Sequence, residues 1–197
     1  IAHASDGFGS IRAPAACCGL VGLKPTRPRN TMAPGLGEGL GGLSTEHAVT
    51  LAVRDCAALL DATAGAGAGD PYVAPVATRP FLREIGADAG RLRIAFTTKA
   101  PNGAVVDPQS LQALAGTVRL CADLGHTVEE ANPEIDGAAL VPTFLTLAAA
   151  NTVVNLASHP SGRPPREGDV EKVTAGTARL GERLSGADYV KATQTAH

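Results

Sequence analysis

Ser10 is the residue on which chemistry could be built. Gly9 precedes it directly and Gly7 lies two positions before that, in the run S-D-G-F-G-S-I-R-A-P. A serine hydroxyl attacks an acyl carbon only when a base takes its proton. Glycines beside such a serine leave no Cβ in the way, so backbone N–H groups can approach a ligand closely. N–H groups so placed are what stabilises an oxyanion during acyl transfer. Asp6 and Arg12 flank the serine with opposite charge. Two commoner glycine patterns do not apply. G-x-G-x-x-G would need glycine where Arg12 stands, and G-x-S-x-G would need it where Phe8 and Arg12 stand. A bare G-x-G-S is an ordinary turn, so the weight falls on the longer stretch.

The residues after Ser10 must position it. I-R-A-P-A-A-C-C-G suits a short helix, with Pro14 tolerated in its first turn and Gly19 as its stop. That places Ser10 at a helix N-terminus, where free N–H groups favour an anion. Residues 20–24 are short, apolar and glycine-flanked, and suit a buried strand that ends at Pro25. Residues 27–42 are rich in Pro and Gly and read as an ordered loop, with Arg27 and Arg29 solvated. Residues 53–64 carry an apolar stripe of Val53, Cys56, Ala57, Leu60 and Ala64 at helical spacing. Ala52 stands where a capping Ser or Thr would serve, so this helix is expected to start earlier or to fray. Residues 65–69 read as a helix exit into a loop.

A β-α-β pattern follows. Residues 91–98 alternate as a strand does. Asp107-Pro108 is a helix start, with an N-cap Asp and Pro at the first helical position. Leu111, Leu114, Ala115, Val118, Cys121 and Ala122 mark one face, and Gly125 closes the helix. Residues 126–130 start a second strand, with His126 as a strand-start residue. Such a unit favours neighbouring parallel strands. Residues 137–158 are apolar and alanine-rich and read as a buried helix. Residues 161–167 form a polar break. Residues 170–184 and 187–195 read as weaker helices. The class is α/β, a mixed sheet covered by helices on both faces.

Composition narrows the classes. The chain has 197 residues, enough for one sizeable core. Its 17 basic and 19 acidic residues leave it near neutral, so no nucleic-acid partner is expected. No apolar run reaches the length of a bilayer span, so no membrane partner is expected. The cysteines Cys17, Cys18, Cys56 and Cys121 lack C-x-x-C spacing and read as free buried thiols of a reducing, cytoplasmic setting. The histidines are scattered, with no pair at i, i+4, and no metal site is expected.

The stretch from Ser5 to Thr26 resembles the nucleophile segment of the amidase signature family. Ser5, Asp6, Gly9, Ser10, Ile11, Arg12, Pro14, Ala15, Cys18, Gly19, Gly22, Leu23, Lys24, Pro25 and Thr26 all fit its pattern. D-G-F-G-S, with Phe8 in place of the commonest glycine, resembles the variant of the nylon-oligomer (6-aminohexanoate-cyclic-dimer) hydrolase subgroup. V-R-D-C-A-A-L-L-D and L-G-H-T-V also resemble segments of the family.

The resemblance implies a Ser–cis-Ser–Lys amidase, with Ser10 as the nucleophile and no cofactor. It implies an oxyanion hole of backbone N–H groups on Gly7, Phe8, Gly9 and Ser10. Asp6 and Arg12 are implied to pair and brace the loop; a solvated pair is the other reading. Ser5 is implied to support the bridging serine. The lysine and the cis-serine lie upstream of this motif in the family, and Lys24 matches a structural position. Residues 1–197 are therefore expected to be an internal fragment of a single, longer amidase-signature domain, inactive when isolated. The implied partner is a small-molecule amide, linear or cyclic, and a homo-oligomer is left open. Two other functions share the motif or the fold. One is the amidotransferase subunit that feeds ammonia to a mischarged glutamyl-tRNA; its motif continues K-P-T-Y-G-R-V-S where this chain has K-P-T-R-P-R-N-T. The other is a non-catalytic protein of the same fold.

Overall fold

The strand that leads into Ser10 is β1 (Ala2–Asp6). The computed structural model of the protein describes residues 1–158 and 168–197, so the expected polar break at 161–167 lies outside the described residues. The chain divides into two compact units. One comprises Ile1–Ala87 with Phe144–His197, and the other comprises Asp88–Thr143.

In the first unit β1 is followed by α1 (Arg12–Cys17), β2 (Val21–Gly22), β3 (Thr45–Thr50) and α2 (Val53–Thr63). The sheet order is β1-β3-β2, all antiparallel, with Ala2 opposite Val49 and Val21 opposite Thr50. β3 is thus the central strand. Its residues Thr45, His47, Ala48 and Thr50 are buried, which a strand paired on both edges requires. The strand expected at 20–24 is only two residues long. It is an edge strand, and Pro25, which lacks an N–H, follows it.

α1 ends as its sequence implies. Gly19 has φ 64, Leu20 N–H donates to the Ala15 carbonyl at 2.8 Å, and Gly19 N–H donates to the Ala16 carbonyl at 3.4 Å. That pair of bonds is a Schellman closure, which a residue with a Cβ would strain. Gly22 lets α1 lie close on β2. A Cβ there would meet the Ala15 Cβ at 2.7 Å and the Ile11 carbonyl at 3.0 Å.

α2 starts at Val53, with Ala52 as an extended, uncapped N-cap. Thr50 does not substitute for a cap, since its hydroxyl donates to the Ala52 carbonyl at 2.9 Å. Cys56, Ala57 and Leu60 are buried as the stripe predicts, but Val53 is exposed. His47 Nε2 lies 3.3 Å from Cys56 Sγ and ties α2 to β3. The thiols are free, yet Cys17 and Cys18 are exposed, contrary to their expected burial. Cys17 is the last residue of α1 and Cys18 its C-cap, while Ala15 is the residue the helix buries.

The second unit holds the β-α-β element. β4 (Arg93–Phe96) and β5 (Thr127–Glu130) pair in parallel, with Arg93 opposite Thr127. Between them runs α3 (Pro108–Asp123), capped by Asp107, whose carboxylate accepts the Gln109 N–H at 2.8 Å. Gly125, at φ 88, turns the chain, and His126 Nδ1 accepts the Leu92 N–H at 3.3 Å at the strand start.

α4 (Gly137–Ala157) has residues up to Thr143 in the second unit and from Phe144 in the first. By length and composition it could cross a membrane, with a mean hydropathy of 1.6 over its best window. This corrects the expectation that no apolar run reaches the length of a bilayer span, on the point of length and composition alone. It also corrects the expected burial. Within α4 only Gly137, Leu147 and Ala149 are buried, because few described residues lie over it. Gly137 lies against Pro101, Ala149 against α5 (Lys172–Gly181), and Leu147 against the turn Leu40–Gly42, which α6 (Gly186–Ala196) also approaches. A Cβ on Gly181 would strike the Ala149 carbonyl, and one on Gly41 would meet Leu147 Cδ2 at 3.2 Å and Thr193 Oγ1 at 3.3 Å. α6 opens with a capping box between Ser185 and Asp188.

Candidate active site

β1 ends at Asp6, and residues 7–11 turn the chain into α1. Ser10 sits exposed in that turn, at a strand-to-helix junction, with Pro14 in the first turn of the helix. The turn is organised by the carboxylate of Asp6, which is fully buried. Its oxygens accept the Gly9 N–H at 2.6 Å and the Ile11 N–H at 3.3 Å. Arg12 closes on the same carboxylate with two prongs, Nε at 2.8 Å and Nη2 at 3.1 Å. The pair is formed from a buried acid and a half-exposed base, which is not a solvated arrangement.

Burial alone would push the Asp6 carboxyl upward. The hydrogen bonds from Arg12, Gly9 and Ile11, with the positive charge of Arg12, outweigh it and lower the pKa to about 2. The same bond holds the Arg12 guanidinium above its ordinary range, against the opposing pull of burial. A further bond, from Ala13 N–H to the Gly9 carbonyl at 2.8 Å, fixes the exit into α1.

The four N–H groups expected to face an oxyanion divide into two sets. The Gly9 N–H is directed at Asp6, so it holds the turn and does not point at a ligand. That corrects the expectation for Gly9, and the reason is the acidic side chain three residues back, a local Asx-type bond. The N–H groups of Gly7, Phe8 and Ser10 have no acceptor among the described residues. They come from the turn itself. α1 is too short to act as a helix-end anion site, and the Ile11 N–H at its N-cap is taken by Asp6.

Gly9 is still required as glycine, for its backbone lies at φ 121. Gly7 is constrained by space, since a Cβ there would strike Leu40 Cδ1. Leu40 itself has φ 52, rare for a branched residue. Ser5 is exposed on β1 opposite Glu46, and its hydroxyl has no hydrogen-bond partner among the described residues. The Ser10 hydroxyl also has none there, so no base among them contacts it. Lys24 reaches only the Pro25 carbonyl, at 3.5 Å. Among the described residues no group of three or more His, Cys, Asp or Glu could hold a metal.

One neighbour of the turn was missed by sequence reasoning. The Phe144 ring of α4 stacks on Phe8, with centroids 4.3 Å apart and planes 16° from parallel. Stacks of this kind contribute about 0.5–1.5 kcal/mol beyond their buried area. Only the rarity of the residue type hinted at it, since the chain has four Phe and no Trp.

The Amidase family model matches residues 1–188. A 6-aminohexanoate-cyclic-dimer hydrolase of Pseudomonas sp. (strain NK87) is 35% identical over 195 residues, which is 96% of this chain and 40% of that protein. The hydrolase of the same description from Paenarthrobacter ureafaciens has the same identity and coverage. A solved 6-aminohexanoate cyclic dimer hydrolase complexed with substrate superposes with a TM-score of 0.90 at 32% identity, over 98% of this chain and 41% of that one. The chain thus spans about two fifths of the length of the relatives it matches. On these matches, together with the strand–turn–helix that presents Ser10, the chain belongs to the amidase signature family.

Proposed function

We propose that the full-length protein containing this chain hydrolyses the C–N bond of a carboxylic amide, linear or cyclic, through an acyl-enzyme on Ser10. The observation that carries this reading is the Asp6-organised turn. It sets an exposed serine beside the N–H groups of Gly7, Phe8 and Ser10, which have no acceptor among the described residues.

The chemistry runs in two halves. Ser10 Oγ bonds to the amide carbon as a base takes its proton, and negative charge collects on the carbonyl oxygen. N–H donors of the turn stabilise that charge, each contributing about 100- to 1000-fold in rate. The C–N bond then breaks, and the nitrogen leaves as the amine with the transferred proton. Water, deprotonated in its turn, attacks the ester carbon and restores the Ser10 hydroxyl. Asp6 and Arg12 take no part in these proton transfers; they hold the turn in shape. The base would be a lysine acting through a cis-serine, and Ser5 would support that serine. The family resemblance implies that the base and the bridging serine lie upstream of the Ser10 motif. Amides of the 6-aminohexanoate type are the natural first substrates, given the relatives' names.

The test is amide turnover by the full-length protein and its Ser10→Ala variant. The variant is expected to lose about 10^4- to 10^6-fold in kcat, as nucleophile removals do. Unchanged turnover would remove Ser10 from the mechanism and favour the non-catalytic reading.

A further inference from the structure

Phe8 is 49% exposed although it lies between two glycines of the turn that holds Ser10. One face of its ring is covered by Phe144, the two rings stacked at 4.3 Å. The stack fixes the ring beside the turn and leaves apolar surface open there. Phe144 comes from α4, far along the chain, and its contact with the turn is the stack on the Phe8 ring. It therefore acts on the turn through the Phe8 ring. A flat, half-open aromatic surface favours an apolar chain over a polar or charged one.

We infer that Phe144 is a specificity-determining residue: stacked on Phe8, it completes an aromatic wall for the apolar chain adjoining the scissile amide. The inference rests on the amidase reading above, with Ser10 as nucleophile. Phe144 is a positioning residue, since it reaches substrate mainly by holding Phe8. Its signature is selectivity for chain length. An apolar site discriminates by about 10- to 200-fold per methylene at best. A half-open wall gives less per methylene, and the effect accumulates along a chain.

The experiment uses the full-length protein and two substrate series. One runs from acetamide to hexanamide and varies the acyl side. The other runs from N-methylacetamide to N-hexylacetamide and varies the amine side. The readout is the ratio of kcat/KM between the longest and shortest member of each series. Phe144→Ala is expected to lower that ratio at least about 10-fold in one series, and Phe144→Tyr, which keeps the flat ring, to retain it. In a Phe8→Ala background, Phe144→Ala should add no further loss of selectivity. Phe144→Leu keeps apolar volume and is used where the Ala variant unfolds; it should lower the ratio in the same direction. Parallel profiles for wild type and variants in both series would overturn the inference. So would a uniform loss of rate at every chain length, the mark of a merely structural role. The Ser10→Ala control separates the two claims. If it abolishes turnover while chain-length selectivity is unmoved, only the role of Phe144 fails. If it leaves turnover intact, the amidase reading fails first.

Discussion

Asp6 holds the turn because burial and charge are both satisfied at one carboxylate. A buried carboxylate without partners would be protonated, since its charge is costly away from water. Here two N–H groups and a two-pronged Arg12 keep it ionised, with a pKa of about 2 against an ordinary 3.8. The sign of the linkage follows. The folded pKa is depressed, so the stabilisation is fully present above about pH 4 and is lost as pH falls through about 2. Its size is about 2 kcal/mol. Asp6→Asn is therefore expected to destabilise the protein by about that amount at pH 7. Urea unfolding at several pH values checks this. The gap between wild type and variant should narrow from about pH 4 to pH 2. A gap that stays constant over that range would mean the Asp6 charge is not what holds the turn.

At the scale of elements, the two glycines before Ser10 fail for different reasons when replaced. Gly9→Ala meets no atom within 4 Å, but it forces an L-residue to φ 121. The cost is conformational, about 1–3 kcal/mol, and no change in neighbours relieves it. Gly7→Ala instead strikes the end of the Leu40 side chain, which can move. Leu40→Ala should therefore rescue Gly7→Ala and should not rescue Gly9→Ala. Thermal unfolding and amide turnover of the paired variants decide it. Equal rescue of both would show that space, and not backbone conformation, governs the turn. α2 offers the opposite kind of change. Its N-cap Ala52 is already extended and uncapped, with Asp55 at the third helical position. Ala52→Ser is expected to stabilise by about 1 kcal/mol by supplying the missing acceptor. A rise in the urea midpoint at constant slope would show it; an unchanged or lower midpoint would count against it.

At the scale of the molecule, much apolar surface is uncovered. Val141, Leu145 and Val154 of α4 are exposed, as are Leu51, Val53 and Leu23 near the antiparallel sheet. Surface of this kind favours association. The 197-residue chain expressed by itself is expected to self-associate, which sedimentation velocity would reveal as species larger than a monomer. It is also expected to turn over amides far more slowly than the full-length protein. General-base help contributes about 100- to 10,000-fold, and no described residue offers it to Ser10. Turnover by the isolated chain at the full-length rate would place the base within these residues.

The residues from Ser5 to Thr26 carried the family, the strand–turn–helix position of Ser10 and the Asp6–Arg12 pair, because each depends on contacts within six residues. The cap of α3 and the Gly125 turn were legible for the same local reason, and the parallel pairing of β4 and β5 from the crossover helix that joins them. β3 was not, because T-E-H-A-V-T carries no clean alternation, and its burial arises from neighbours on both edges. Nor was the partition of the N–H donors. Sequence shows which backbone groups exist, and only the folded turn decides that Gly9 bonds to Asp6 while Gly7, Phe8 and Ser10 do not. The stack of Phe8 on Phe144 joins residues far apart in the chain, and nothing local records such a contact. The exposure of α4 is likewise a matter of what lies over it. An apolar helix looks the same in sequence whether it is buried or open, so the tertiary structure alone distinguished the two.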